Sequence, residues 1–291
     1  MPESPGLIQR GLRYERAGVL EEAMECYKAA FVEASGPNES SEALRRQADV
    51  MRIRCEWDAA LELGQRSEAI AREAGLTDLA AEAINAQAAV HQSRGALEDA
   101  VPLYERALHL ADGPRLKGIA LQNLGAIAAM NGDHEQAARR FEASIACFES
   151  GDYRRGIAIA LNNLGRASLD RGDAERAEEV LRRAILEARQ IDDLELAAVA
   201  EVNMAEALLA RSTLERAEQE ASAALGFFKV SGNRWRQIDC LRLLGDIRVA
   251  RDDGDTARRM YQQALSLAEL IGAAAESEQL RTRLAPLSAD S

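Results

Sequence analysis

The chain has 291 residues, 47% of them hydrophobic and only 4% aromatic, with a formal net charge of -12 at pH 7. That length allows two ordinary domains or one long architecture, and the acidic balance argues against nucleic acid or an anionic membrane as the main partner, because both select clustered positive charge. Alanine, leucine, glutamate and arginine dominate and only six prolines interrupt them, so helix is predicted almost throughout.

The N-terminal MPESPGLIQRG lacks the apolar run of a signal peptide and no window approaches an uncharged membrane span, which predicts a soluble, cytoplasmic protein. Beyond it one pattern of small and large residues recurs. Gly11, Tyr14, Gly18, Ala23, Tyr27 and Ala30 form the first unit; Gln47, Ala48, Ala60 and Ser67 the second; Gln87, Ala88, Gly95, Ala100, Tyr104 and Ala107 the third. The fourth holds Leu124-Gly125, Gly132-Asp133, Ala137, Phe141 and Ser144. The fifth repeats it at a shift of 164 − 124 = 40 residues with Leu164-Gly165, Gly172-Asp173, Ala177, Leu181 and Ala184. Met204-Ala205, Ala217 and Ala224 follow, then Leu244-Gly245, Ala257, Tyr261 and Ala264, so that one alanine recurs at 23, 60, 100, 137, 177, 217 and 257.

Within residues 160–177 the spacing predicts a first helix to about Arg171, a turn at Gly172-Asp173 with the aspartate as N-cap, and a second helix. Leu161, Leu164, Gly165 and Ser168 share one helical face, and the minimal side chains of Gly165 and Ala177 let the two helices cross closely. No such pair buries its apolar face alone, so neighbours must stack and the ends must be capped. Residues 274–285, with Glu276, Glu278, Arg281 and Arg283, read as a solvated capping helix; it carries Leu284-Ala285 where 244 + 40 = 284 places the next pair, followed by Pro286.

This pattern resembles the tetratricopeptide repeat family, in which a large residue, Leu-Gly and an aromatic are followed after a turn by alanine, an aromatic and a small residue. No tryptophan opens a repeat, no proline closes one, and the unit is near 40 residues, which is closer to the long-repeat branch of kinesin light chain and bacterial peptide-pheromone receptors. The resemblance implies an all-α, right-handed superhelix, an α-solenoid of about seven helical hairpins plus a C-terminal capping helix. A single array over 1–291 is expected, with repeats near 4–37, 41–75, 81–113, 118–151, 158–191, 198–231 and 238–271.

Asn162 and Asn163 fall on either side of Arg166 on the helical wheel, nearly opposite the Leu161/Leu164 seam, and so are expected to face a concave groove lined by first helices. Equivalent positions hold Asn85, Gln122, Asn123 and Asn203. A carboxamide offers both donor and acceptor, matching a peptide backbone, and helices about 8–10 Å apart would set one amide rung against roughly every third residue of an extended strand. In the long-repeat branch similar asparagines grip ligand backbone, which implies that role for Asn123, Asn163 and Asn203. The competing reading is an asparagine bonded locally or facing water. Charges stand around the amides: Arg45, Arg46, Asp49, Arg166, Glu206, Arg242 and Asp246, with Arg166 the first candidate to anchor a carboxylate.

Arg10, Gln47 and Gln87 replace leucine or methionine of later repeats, as an internal polar network, a loosened N-terminal half or a partner surface. The turns GDYRRG and GNRWRQ set Tyr153 beside Arg154 and Arg155, and Trp235 beside Arg234 and Arg236, a composition fitting either an edge interface or rings packed on the next helix. Cys26, Cys55, Cys147 and Cys240 lie far apart and read as small buried thiols. His91, His109 and His134 have no metal-ligand spacing, and phosphate-loop, dinucleotide and nucleophile-elbow motifs are absent, so no metal, cofactor or catalytic residue is expected. The sequence predicts a non-enzymatic scaffold for an extended peptide or protein tail. The alternatives are a peptide-sensing receptor acting through a partner protein and a homo-oligomeric assembly unit.

Overall fold

The structure is a computed structural model that describes residues 4–287; the ends of the expected array, 1–3 and 288–291, lie outside the described residues. Fifteen helices and no strand occur among the described residues. The chain divides into two compact units, one running to Tyr153 and the other beginning at Arg154. The first contains α1 (Ser4–Arg16), α2 (Leu20–Val32), α3 (Pro37–Ile53), α4 (Trp57–Glu73), α5 (Thr77–Ser93), α6 (Leu97–Leu110), α7 (Pro114–Met130) and α8 (His134–Ser150). The second contains α9 (Arg154–Asp170), α10 (Ala174–Gln190), α11 (Leu194–Ala210), α12 (Leu214–Ser231), α13 (Arg234–Val249), α14 (Gly254–Leu270) and α15 (Ala274–Leu287).

Each odd helix up to α13 forms a hairpin with the even helix after it, and α15 packs on α14. The recurrent alanines 23, 60, 100, 137, 177, 217 and 257 are all 0% exposed, because each lies where its hairpin's helices meet. Close approach also explains the glycines: a Cβ on Gly118 would fall 2.5 Å from a ring carbon of Phe148, and one on Gly125 2.8 Å from Phe141. Buried serines clasp several hairpins across a constant separation of 26 residues: Ser4 Oγ donates to the carbonyl of Ala30 at 3.0 Å, and Ser144 Oγ to that of Gly118 at 2.8 Å. Ser67 Oγ likewise donates to the carbonyl of Ser41 at 2.7 Å.

Every hairpin turn passes through the left-handed region. Gly18, Gly95, Gly132 and Gly172 take it without steric cost, whereas Cys55, Ser212 and Asp252 adopt φ of 62°, 57° and 58° despite their side chains. Even helices then start on aspartate caps where the sequence has one: Asp133 accepts from the amide of Gln136 at 2.9 Å and Asp173 from that of Arg176 at 3.0 Å.

Within each unit the odd helices form the tighter layer. α1 touches α3, α3 touches α5 and α5 touches α7, while in the second unit α9 touches α11 and α11 touches α13; no comparable contact joins successive even helices. Odd helices from α3 to α13 begin at 37, 77, 114, 154, 194 and 234, and Pro37 and Pro114 at first-turn positions with the caps Asp193 and Asn233 open four of them. One expectation is corrected. Cys55 is exposed, since it occupies a hairpin turn, whereas Cys26 and Cys240 are buried and Cys147 is half-buried.

Candidate functional site: the odd-helix faces

In the first unit α3, α5 and α7 enclose a cleft of about 420 Å³ that gathers Arg45, Arg46, Asp49, Arg52, Glu82 and Asn85. Positions 45, 49 and 52 fall on one stripe of α3, one turn apart. Arg45, with 13% of its side chain exposed, lies 2.8 Å from Glu82 but 3.8 Å from Glu42 and 3.7 Å from Asp49. Arg46 stands 3.6 Å from Glu42. The Nε atoms of Arg45, Arg46 and Arg52 are buried without an acceptor. Burial raises the carboxyl pKa of Asp49, against the lowering by Arg45, Arg52 and Arg46.

The second unit has a cleft of about 440 Å³ lined by Arg166, Glu206, Asp239, Arg242, Glu276 and Arg283. Here the charges are paired in sequence. Arg166 binds Asp170 at 2.5 Å and also Glu206; Arg242 binds Glu206 at 3.1 Å and Asp246 at 2.9 Å; Arg283 of α15 binds Asp246 at 3.0 Å. Arg166 is therefore no free carboxylate anchor, because an incoming anion must displace acids already held by its guanidinium.

The amides form cross-links between successive odd helices. Asn123 Nδ2 donates to Asn85 Oδ1 at 3.3 Å, and Asn203 Nδ2 to Asn162 Oδ1 at 2.9 Å. Asn162 is only 8% exposed, which corrects its expected place on an open groove: the neighbouring α11 covers its edge of α9. Asn85, Gln122, Asn123, Asn163 and Asn203 stay half-buried, and Oε1 of Gln122 is buried without a donor. Arg45, Arg46 and Asn85 thus meet in one cleft and Arg166, Glu206 and Arg242 in the other, whereas Gln122, Asn123, Asn162, Asn163 and Asn203 line neither.

The edge residues separate into two kinds. The Tyr153 ring packs edge-on to Phe148 at 5.3 Å and lies under Arg115 at 4.8 Å. Arg154 contacts Glu187 at 3.5 Å and also Gln190, and Arg155 binds Asp193 at 3.0 Å, with both arginine side chains more than half exposed. Trp235 remains 53% exposed beside the exposed Arg234, while Arg236 reaches Asp239 at 3.5 Å. Gln47 and Gln87 are internal, bonding the carbonyl of Tyr27 at 3.3 Å and Glu68 at 2.8 Å, and Arg10 is exposed beside Tyr14. Sequence reasoning missed Arg52, Glu82 and Arg115 in the first cleft and Asp239 in the second; the spacing of Arg52 from Arg45 on one helix was the available signal.

Two tetratricopeptide repeat family models match the chain, over residues 83–117 and 117–185. Residues 83–185 carry tetratricopeptide repeats. Solved structures share this repeat fold at low identity. A STAND ATPase with a tetratricopeptide repeat sensor from Pyrococcus horikoshii is 14% identical with a TM-score of 0.73, over 94% of this chain and 44% of the other, so the chain spans less than half of that relative. The quorum sensor NprR from B. thuringiensis is 16% identical with a TM-score of 0.68, over 90% of this chain and 75% of the other. A Rap protein complexed with Competence and Sporulation Factor is 16% identical with a TM-score of 0.66, over 99% of this chain and 75% of the other. No curated protein matches the chain. Among the described residues no helix is long and apolar enough to cross a membrane, and no group of three His, Cys, Asp or Glu side chains is arranged to hold a metal ion.

Proposed function

We propose that this tetratricopeptide-repeat chain is a non-enzymatic scaffold that binds an extended peptide or protein tail along its odd-helix faces. The observation that carries this reading is the placement of half-buried carboxamides, Asn85, Gln122, Asn123, Asn163 and Asn203, on the odd helices, together with a charged cleft on that layer of each unit. The Asn85–Asn123 and Asn162–Asn203 bonds each use one donor and one acceptor, which leaves every pair with further donors and acceptors for a main chain. Arg45 and Arg46 then select side chains, and Trp235 with Arg234 and Arg236 offers a separate edge contact. Ordering an extended ligand costs free energy, so affinity depends on several rungs acting together.

The test is selection of binders from a library of unstructured peptides on the full chain, followed by calorimetry of the selected peptide with wild type and with Asn123→Ala/Asn163→Ala/Asn203→Ala. A loss of about tenfold or more supports the reading. Equal binding by a folded triple variant overturns it.

A sensing role is the second reading, favoured by the sensor in the STAND relative and by the quorum sensor NprR. Small-angle scattering separates the two, because a receptor changes its radius of gyration when the selected peptide binds and a plain scaffold does not.

A further inference from the structure

Two neighbouring turns of the second unit expose large apolar side chains: Leu194 (51%) on the α10–α11 turn, and Val230 (90%) and Trp235 (53%) on the α12–α13 turn. Leu194 opens α11 and Trp235 is the second residue of α13. These two helices touch, and packed helices lie about 8–10 Å apart, so the two turns stand side by side on one edge.

The turns carry opposite free charge. Asp192 and Glu195 flank Leu194, whereas Lys229 and Arg234 flank Val230 and Trp235; all four are exposed, and none makes a side-chain ion pair or hydrogen bond among the described residues. Other ions nearby are taken up within the chain: Asp193 by Arg155, Arg154 by Glu187, Arg189 by Glu201 and Arg236 by Asp239. Helix polarity sharpens the contrast. α11 has Glu195 in its first turn, where the helix dipole favours an acid, but α13 begins with Arg234 and Arg236 and has no acid there, a placement the dipole disfavours.

Trp235 stands on a fixed support. Gly232 takes a φ of 74°, Asn233 caps α13 by accepting from the amide of Arg236 at 3.2 Å, and Gln237 Nε2 donates to the carbonyl of Phe228 at 2.8 Å. Among the described residues no ring stacks on its indole and no guanidinium lies over it, unlike Tyr153. A large ring held ready on a rigid turn loses little entropy on being covered.

We infer that this edge is a two-fold interface with a second copy of the chain, in which the α12–α13 turn of each copy sits on the α10–α11 turn of the other. An acid-flanked apolar patch beside a base-flanked one is its own complement under two-fold rotation. Lys229 and Arg234 of one copy then meet Asp192 and Glu195 of the other, twice, with Leu194, Val230 and Trp235 covered between them. Charge selects this occupant. An unrelated acidic partner or an anionic membrane would satisfy Lys229 and Arg234 but set Asp192 and Glu195 against like charge, whereas a second copy satisfies all four. The contact uses the turns and not the odd-helix clefts, so it does not rest on the peptide-binding reading.

The test is sedimentation equilibrium of the full chain from about 1 to 200 μM, the range for a modest patch. A monomer–dimer equilibrium is expected, weakened about tenfold or more by Trp235→Ala. Lys229→Glu/Arg234→Glu and Asp192→Lys/Glu195→Lys each bring like charges together and should weaken the dimer by about tenfold or more. An equimolar mixture of those two variants should recover it, because reversed turn meets reversed turn and native meets native, a gain that misfolding could not produce. In a Trp57→Phe background Trp235 is the only tryptophan, and its emission should move to the blue as the dimer forms.

A chain that stays monomeric over that range, a dimer indifferent to Trp235→Ala, or mixed variants that fail to associate would overturn the inference. Growth past the dimer would do so too, since it marks a head-to-tail contact. Vesicles of phosphatidylcholine and phosphatidylserine are a further arm: a blue shift with them at a concentration where the chain is monomeric would assign the edge to a membrane instead. None of these outcomes touches the groove reading, which is decided by peptide binding to Asn123→Ala/Asn163→Ala/Asn203→Ala.

Discussion

Glu178 of α10, only 5% exposed, accepts a hydrogen bond from Arg216 of α12 at 3.0 Å and so joins two successive even helices that otherwise make little contact. Arg182, one turn along α10, binds the same carboxylate at 2.6 Å, and Arg211 from the α11–α12 turn completes the set. Burial works against ionisation of Glu178, but the hydrogen bond and charge of Arg216 with the charges of Arg211 and Arg182 outweigh it, and its pKa is lowered from the ordinary 4.5.

A pH-dependent stability contribution follows from that depressed pKa. It is fully present above the unfolded-state value of about 4.5 and is lost as pH falls through the folded-state value. Glu178→Gln is expected to lower stability by about 1–3 kcal/mol near neutral pH. Thermal melts of the two proteins should converge as pH falls below about 4.5. A gap that persists undiminished in acid would assign the effect to packing rather than charge.

Crossing distance is the second point of leverage. A Cβ on Gly165 would collide with the Leu181 side chain, which lies across the α9–α10 interface. Gly165→Ala should cost about 1–3 kcal/mol by overpacking, and Ala177→Phe at the same crossing a similar amount. Combining Leu181→Ala with Gly165→Ala should cost less than the sum of the two single losses, because the alanine vacates the space the new Cβ needs. Strict additivity in a denaturant-melt double-mutant cycle would show that the two positions do not touch.

Backbone conformation at the hairpin turns predicts gains. Cys55 and Ser212 have φ of 62° and 57° at turns where four other hairpins use glycine. Cys55→Gly and Ser212→Gly should each stabilise the chain by up to about 1 kcal/mol, less the added freedom of the unfolded chain. A fall in melting temperature for both would mean that their side chains contribute more than the strain removes.

The amide pairs make neighbouring asparagines unequal. Asn203→Ala leaves the buried Oδ1 of Asn162 without its donor and should cost about 1–2 kcal/mol, whereas Asn163→Ala, at a half-buried position, should cost less than about 0.5 kcal/mol. Urea melts of the single variants check this. They also identify which member of the triple variant reports on binding with the least disturbance to folding.

The recurrent alanines, the Gly165 crossing and the Asp173 cap were legible in the sequence because each depends on contacts within one hairpin, where helical periodicity fixes which residues face each other. The cap forms as expected, with Asp173 accepting from the amide of Arg176. The burial of Asn162 was not legible, because a wheel drawn for one helix ignores the next odd helix that covers its edge. Arg166 was half legible: Asp170 lies four residues along the same helix, whereas Glu206, 40 residues away, meets it only when adjacent repeats are placed in register. The first cleft was half legible, through Arg45 and Arg46. Glu82 and Arg115 come from α5 and α7, and only stacking brings them together.

The one-sided contact between odd helices gives each unit the mechanics of a hand fan. The odd helices are the pivot and the even helices the ribs, but each rib also packs on the odd helix that follows it in its unit, so the ribs are held apart and tied together through the pivot layer. Glu178, bonded to Arg216, adds a direct tie from rib to rib.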